Sequence, residues 1–284
     1  MPDFDLSDYS TIRSILSRHG FTFSKSLGQN FIVDPDVCPA MAASCGADEN
    51  TAVIEIGPGI GVLTKELSKV AKKVISIELD TSLLSILAET LDGCSNVEVI
   101  NADALKLDLK ALIEEKCGGM NVVVCANLPY YITSPVIMKL LEDKLPLSLI
   151  TVMIQKEVAD RLCAEPGTRD SGAITVAVNY YAEAERLFEV GHSSFMPPPK
   201  VDSTVIRLKL REQPPIQVKD EEKFFRMVKA AFSMRRKTAL NGISNGMGLP
   251  KEKVASAIES CGFDPAIRAE KMTMEQLARL CGAI

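Results

Sequence analysis

The sequence lacks an apolar run near the ~20 residues that a bilayer-spanning helix needs, which argues against a membrane protein. Metal chemistry also finds little support. There are only two His, and none of the eight Cys forms a Cys-x-x-Cys pair. The spacings that mark zinc or disulfide-exchange sites are therefore missing, and no metal is expected. Cys38, Cys45, Cys94 and Cys117 are scattered and Cys125 falls in an apolar strand, so they read as reduced thiols of a cytosolic chain. His19 and His192 are too far apart to suggest ligands by spacing, and they read as surface or capping residues. The acidic start Met1-Pro2-Asp3-Phe4-Asp5 has neither the basic and apolar regions of a secretion signal nor an Arg-rich transit segment. A cytoplasmic location is expected. No repeat or low-complexity tract is present.

What is present fits an ordinary globular chain of 284 residues, 46% hydrophobic and 24% charged. That length suits one large domain and a small one. Net charge is −5, yet its distribution is uneven. Residues 1–184 hold 15 Lys and Arg against 25 Asp and Glu, a net of −10. Residues 185–284 hold 17 against 12, a net of +5. This asymmetry points to a nucleic-acid face built partly from the C-terminal portion. Its densest cluster is Arg235-Arg236-Lys237, which also fits a solvated helix end.

Strand-like runs at 53–56, 74–77, 97–101, 122–126 and 149–154 alternate with helical stretches. That order predicts βαβ units and a parallel sheet. Helices are also expected over 7–19 and near 35–45. After residue 170 the spacing shortens, and 174–178 with 205–210 read as an antiparallel pair at a sheet edge. The segment 193–203, with its proline run at 197–199, reads as a rigid exposed loop, because Pro cannot donate to a ladder. Residues 212–220, with Pro214-Pro215, read as a linker before helices over 221–238, 250–261 and 273–281. The expected domains are 1–211 and 212–284.

The chemistry is concentrated at the ends of the predicted strands, where open α/β sheets hold their ligands. Glu55-Ile56-Gly57-Pro58-Gly59-Ile60-Gly61 joins the first strand to a helix. Its G-x-G-x-G spacing departs from the G-x-G-x-x-G of dinucleotide sites, which argues against a pyrophosphate-bearing cofactor and a dehydrogenase. The second strand ends in Glu78, suited to the two hydroxyls of a ribose. The third ends near Asp103, placed to meet an adenine amino group. Gly, Glu and Asp at successive strand ends describe a nucleoside pocket without a phosphate clamp, the shape expected for S-adenosylmethionine. Singly, each acid also fits an ordinary exposed turn.

Asn127-Leu128-Pro129-Tyr130 ends the fourth strand. Asn127 offers an acceptor, Pro129 stiffens the turn, and Tyr130 offers a ring face for a base. An exocyclic amine held by the Asn127 oxygen and a backbone carbonyl could be oriented for nucleophilic attack. The same four residues fit a strand-ending turn with a buried Tyr.

Taken together, these pieces resemble the ribosomal RNA adenine N6-dimethyltransferases, and within them the KsgA-type small-subunit enzymes. The matching segments are 25–31, 55–61, 127–131, 195–203 and 231–238, in the family's order. The resemblance implies a Rossmann-like methyltransferase sheet with a small C-terminal helical domain. It implies that S-adenosylmethionine is held by Asn30, Ile32, Gly57, Glu78, Asp103 and Asn127. Asn127 and Leu128 would orient the target amine, with Tyr130 and Phe195 sandwiching the adenine. Lys200, Arg235, Arg236 and Lys237 would contact RNA. The implied reaction is N6,N6-dimethylation of two adjacent adenines in 16S rRNA of the immature small subunit, by a monomer. One departure is Ser171 before Gly172, where the family pattern leads to a ring.

Other functions compete. A DNA adenine methyltransferase could share the Asn-Pro-aromatic turn, but the helical C-terminal piece and the Phe195 loop favour RNA. Large-subunit rRNA methyltransferases are typically more basic than this chain, whose pI is near 5.3. A non-catalytic assembly factor would not need an intact Asn127-Leu128-Pro129-Tyr130.

Overall fold

In the computed structural model, which describes residues 4–24, 27–234 and 236–284, the apolar runs stack into one central sheet. Helix α1 (Tyr9–Arg18) starts where the Asp8 carboxylate accepts from the Thr11 N–H at 2.8 Å. It buries Ile12, Ile15 and Leu16, an i, i+3, i+4 stripe. The two-residue strand β1 (Phe31–Ile32) and α2 (Val37–Ser44) follow. Then come β2 (Thr51–Ile56), α3 (Val62–Val70), β3 (Lys73–Glu78), α4 (Leu84–Thr90), β4 (Val97–Asn101), α5 (Leu109–Lys116), β5 (Asn121–Asn127), α6 (Thr133–Glu142) and β6 (Leu149–Gln155).

Every residue of β2 is buried, and β5 and β6 are buried throughout their middles. Such continuous apolar strands belong to a sheet covered on both faces. Strand β2 pairs in parallel with both β3 and β5, and β3–β4 and β5–β6 are parallel as well. The order β4-β3-β2-β5-β6 reverses the direction of winding between β2 and β5. That reversal opens a crevice at the carboxyl ends of these two strands, the usual ligand position in such sheets.

Beyond β6 the chain runs through α7 (Lys156–Leu162), α8 (Ala173–Tyr181), β7 (Ala182–Val190), β8 (Phe195–Met196) and β9 (Ser203–Leu210). Strand β9 pairs antiparallel with β6, and β7 follows it in the sheet order. Residues 174–178 are therefore not a strand, as the sequence pattern suggested, but the body of α8. Thr175, Val176, Ala177 and Val178 are all buried, so the run is not an alternating face. The Thr175 hydroxyl accepts from the Gly172 N–H and donates to the Arg161 carbonyl, which fixes the helix start. Burial on all sides here outweighs the strand preference of β-branched residues. Ser171, just before this helix, is itself buried.

The proline-rich segment also differs from expectation at its start. Pro197 and Pro198 are exposed, but Phe195 and Met196 are buried. They form β8, which pairs antiparallel with β1 through Ile32↔Phe195 and Phe31↔Met196.

The last stretch is helical: α9 (Glu221–Phe232), α10 (Ala239–Met247), α11 (Lys251–Ser260) and α12 (Met274–Ala283). The helix expected over 221–238 stops at Phe232. There the Ser233 hydroxyl bonds back to the Ala230 carbonyl, and the chain turns before Thr238 caps α10. Gly242 makes the α9–α10 contact possible, because a Cβ there would lie 2.6 Å from the Ala230 carbonyl oxygen.

The chain forms two compact units. One comprises residues 1–159 and 185–210, and the other comprises 160–184 and 211–284. Within the second, Tyr180 of α8 packs tilted against Phe224 and edge-on against Phe225 of α9, and Tyr181 stacks on Phe225, with centroids 5.1 to 6.0 Å apart. Among the described residues no helix is long and apolar enough to cross a membrane.

Candidate active site

The crevice between β2 and β5 is a cleft with about 1020 Å³ of empty space, including its open mouth. Asn30, Ile32, Gly57, Glu78, Asp103, Asn127, Leu128, Tyr130 and Phe195 all line it. Every cofactor-binding and catalytic residue expected from the sequence is thus brought to one place. Lys200, Arg236 and Lys237 do not line it and are exposed. Arg235 lies outside the described residues, as do Lys25 and Ser26 of the first matching segment.

The glycine loop leaves β2 with left-handed backbone at Gly57 and Gly59, φ +73° and +61°. A Cβ on Gly59 would press to 3.1 Å from the Phe31 ring. The missing side chains let the backbone form a low floor to the cleft. Glu78, at the end of β3, is 6% exposed, and its Oε1 accepts from the Asp80 N–H at 2.7 Å. Burial raises its pKa, opposed by N–H donors at Asp80 and Gly59. Asp103 follows β4 and is anchored by the Leu105 N–H at 3.0 Å.

Asn127 is the last residue of β5. Its side-chain amide donates to the Asn30 carbonyl at 3.5 Å, and the Asn30 amide donates to the Gly28 carbonyl at 3.0 Å. The turn after it is fixed by the Leu128 N–H donating to Met153 and the Ile132 N–H donating to Pro129, both at 3.1 Å. The Tyr130 hydroxyl lies 2.8 Å from the Ser203 hydroxyl, and burial raises the phenol pKa.

Three further residues gain importance from the structure. Glu55 is 1% exposed, and its Oε2 accepts from Thr64 and Ser76 at 2.6 and 2.7 Å. Burial pushes its pKa up to about 7, with the Glu78 charge adding to the rise. The sequence signal was only its place two residues before Gly57. Gln29 links the N-terminal segment to the β3 end by accepting from the Ser24 N–H and donating to Asp80. Tyr131, 51% exposed at the cleft rim, would lie 3.4 Å from a Cβ on Gly28. Nothing in its spacing marks it out from Tyr130.

The described lining holds three acids and no Lys or Arg: Glu78 and Asp103, and Glu55, which is buried behind them on Thr64 and Ser76. Such a donor set suits a nucleoside carrying positive charge and would disfavour a polyphosphate. S-adenosylmethionine fits this chemistry: acids for its hydroxyls and amines, glycines for close approach, no phosphate cradle. Among the described residues no cluster of three or more His, Cys, Asp or Glu is placed to hold a metal ion. His19 lies instead against Glu89 and Ser85, and His192 against Asp202.

The chain matches the family model described as ribosomal RNA adenine dimethylase over residues 20–284. A curated relative from Geobacillus thermodenitrificans, "Ribosomal RNA small subunit methyltransferase A", is 48% identical over 284 residues, covering 99% of this chain and 97% of the relative. Among solved structures, a dimethyladenosine transferase from Plasmodium falciparum superposes with a TM-score of 0.71 at 26% identity, covering 88% of this chain and 95% of that one. The 23S rRNA methyltransferase ErmE gives a TM-score of 0.65 at 28% identity, covering 89% and 98%.

Proposed function

Because this chain belongs to the ribosomal RNA adenine dimethylase family, we propose that it transfers methyl groups from S-adenosylmethionine to N6 of two adjacent adenines in small-subunit (16S) rRNA. The product is N6,N6-dimethyladenosine, made on the immature small subunit in the cytoplasm. The observation that carries this reading is that Asn127, Leu128, Tyr130 and Phe195 line the same cleft as Gly57, Glu78 and Asp103. A base-holding turn and a nucleoside pocket then open onto each other.

When bound, the cofactor supplies an electrophilic methyl on a positive sulfur. The chain's own task is to bring N6 to it. The N6 lone pair is delocalised into the adenine ring and is a poor nucleophile. Asn127 donates its amide to Asn30, which leaves its Oδ1 as the free-facing end of the group. That oxygen and the Leu128 carbonyl accept the two N6 hydrogens and turn the lone pair away from the ring. Positioning of this kind supplies several kcal/mol of the barrier. Tyr130 and Phe195 close on the faces of the base and hold its plane. A tuned base is not required, since the nitrogen's proton becomes acidic once the methyl is transferred. Glu78 takes the cofactor's ribose hydroxyls and Asp103 its adenine amine, while the Asn30 and Ile32 backbones complete the wall.

On the second unit, Arg236 and Lys237, with Arg235, are assigned to RNA, and Lys200 is assigned to it on the first. The large-subunit alternative draws on the likeness to ErmE, but 48% identity to the small-subunit relative outweighs 28%. The test is incubation with isotopically labelled cofactor and immature small subunits, large subunits or duplex DNA. Label in small-subunit rRNA alone is expected; label confined to either alternative overturns the assignment.

A further inference from the structure

We propose that Ser203 is a positioning residue for methyl transfer, holding the Tyr130 ring in the plane that stacks the target adenine. This rests on the reading of Tyr130 as a base platform. The two hydroxyls are 2.8 Å apart although the residues are distant in sequence. Ser203 is fully buried, and its backbone has no freedom to follow the ring. It opens β9 opposite Gln155 of β6, and the preceding carbonyl of Asp202 accepts from the Lys156 N–H at 3.0 Å. The Asp202 carboxylate in turn accepts from the His192 N–H and meets its ring Nδ1, at 2.9 and 2.8 Å. The Ser203 hydroxyl is therefore a fixed point set by the sheet.

Tyr130 is held at two points. The turn fixes its backbone through the Leu128–Met153 and Pro129–Ile132 bonds. That leaves rotation about its side-chain bonds, which would swing the ring face out of the base plane. A partner at the para position removes that freedom, because a phenol that abandons it leaves a buried hydroxyl unpaired. The phenol is protonated at neutral pH and partial burial raises its pKa further, so it retains a hydrogen to donate. The consequence is kinetic. A ring that wanders still contributes apolar area to binding, but it presents N6 at the wrong angle, and small misplacements cost rate steeply. The proline-rich loop and the Asn127 turn thus act as one device, joined by this hydroxyl pair.

The test removes the pair from either end while keeping the ring. Ser203→Ala, Tyr130→Phe and the double variant are assayed for kcat and KM on immature small subunits at saturating cofactor, with cofactor affinity measured by calorimetry and folding by thermal unfolding. Each single variant should lose between about threefold and tenfold in kcat, the worth of one hydrogen bond. KM for the subunit and Kd for the cofactor should stay within about twofold, and the double variant should be no slower than the worse single, since coupled residues do not add. Wild-type kcat in Tyr130→Phe, or losses that multiply in the double variant, would overturn the proposal. Either single variant could also lose stability, since Ser203→Ala empties a buried site and Tyr130→Phe strands the buried Ser203 hydroxyl. A kcat loss with thermal unfolding, KM and cofactor Kd unchanged is the outcome that positioning predicts, and a kcat loss that tracks the loss of stability overturns it. Tyr130→Ala separates the two levels. If it is slow while Tyr130→Phe is normal, the platform stands and the positioning claim falls; if Tyr130→Ala is also normal, the platform reading itself fails.

Discussion

The side-chain amide of Asn127 donates to the backbone carbonyl of Asn30 at 3.5 Å, joining the end of β5 to the segment before β1. The bond gives the amide group a direction. Its nitrogen faces the N-terminal segment, so in the proposed reaction its oxygen is the end offered to the substrate amine. The segment around Asn30 is in turn held by Gln29, which reaches Asp80 beyond β3. The cleft wall at Asn30 and the turn at Asn127 therefore share one set of hydrogen bonds.

Glu78 provides the first test. Its carboxylate is nearly buried, with one oxygen already holding the Asp80 N–H. Glu78→Ala should weaken S-adenosylmethionine binding by about 2 to 3 kcal/mol, the range for hydrogen bonds to a charged group. Calorimetry on the folded variant measures it, and an unchanged Kd would remove Glu78 from the ribose.

The base platform is best probed at Tyr130. Tyr130→Ala should lose about 1 to 3 kcal/mol of stacking on the target base, with cofactor affinity little changed. Phe195→Ala should do the same but also destabilise the fold, since the ring is 4% exposed and packs with Ile32 and Met153. Comparing thermal unfolding with methylation at subsaturating subunit concentration separates the two effects. A Tyr130→Ala variant with wild-type turnover would make that ring core only.

The sheet and the site were legible in the sequence to different degrees. The strands ending at Glu78, Asn101 and Asn127 stand out because they are short apolar runs bounded by Gly, Asn and acids, and the structure follows them within a residue or two. The candidate site residues at their ends follow from position alone. Helix α8 was not legible, because Ile174, Thr175, Val176 and Val178 prefer strands, while the burial of Thr175 to Val178 on successive sides and the Thr175 bonds to Gly172 and Arg161 exist only in the folded chain. At the break after Phe232 the Ser233 hydroxyl reaches back to the Ala230 carbonyl, a contact that no periodicity reports. Ser203 and Glu55 end or open matching segments, but their roles were hidden. Their partners, Tyr130 and Ser76, are brought to them only by the folded sheet.

Glu55 gives a pH-dependent prediction. Burial raises its pKa from an ordinary 4.5 to about 7, so the folded state favours its protonated form. Its contribution to stability is full below about pH 4.5 and is lost as pH rises through about 7. Glu55→Gln should remove that loss, worth about 3 kcal/mol at most. The check is denaturant unfolding of wild type and variant without cofactor from pH 5 to 8. The gap between the two should shift in favour of Gln as pH rises, and a constant gap would place Glu55 in a more polar setting.

Arg236 and Lys237 are exposed beyond the end of α9. Replacing both by Ala should weaken binding to the small subunit and flatten its salt dependence, by about 0.7 to 0.9 log units for each phosphate no longer neutralised. Fluorescence anisotropy or filter binding over a salt series provides the slope. An unchanged slope would mean that the pair faces solvent in the complex.

The end product of the reaction reports on the Asn127 and Leu128 acceptors. After one transfer N6 keeps a single hydrogen, so one acceptor at Asn127 or Leu128 still has a partner. The other must then tolerate a methyl, which the walls of Tyr130 and Phe195 can accept without stranding a buried polar group. The measurement is mass spectrometry of rRNA nucleosides over time, from immature small subunits incubated with excess S-adenosylmethionine and wild type or Asn127→Ala. Wild type should convert its target adenines through a monomethyl stage to N6,N6-dimethyladenosine, and Asn127→Ala should yield neither product. A wild-type end point of monomethyladenine, or substantial dimethyladenine from Asn127→Ala, would contradict the account.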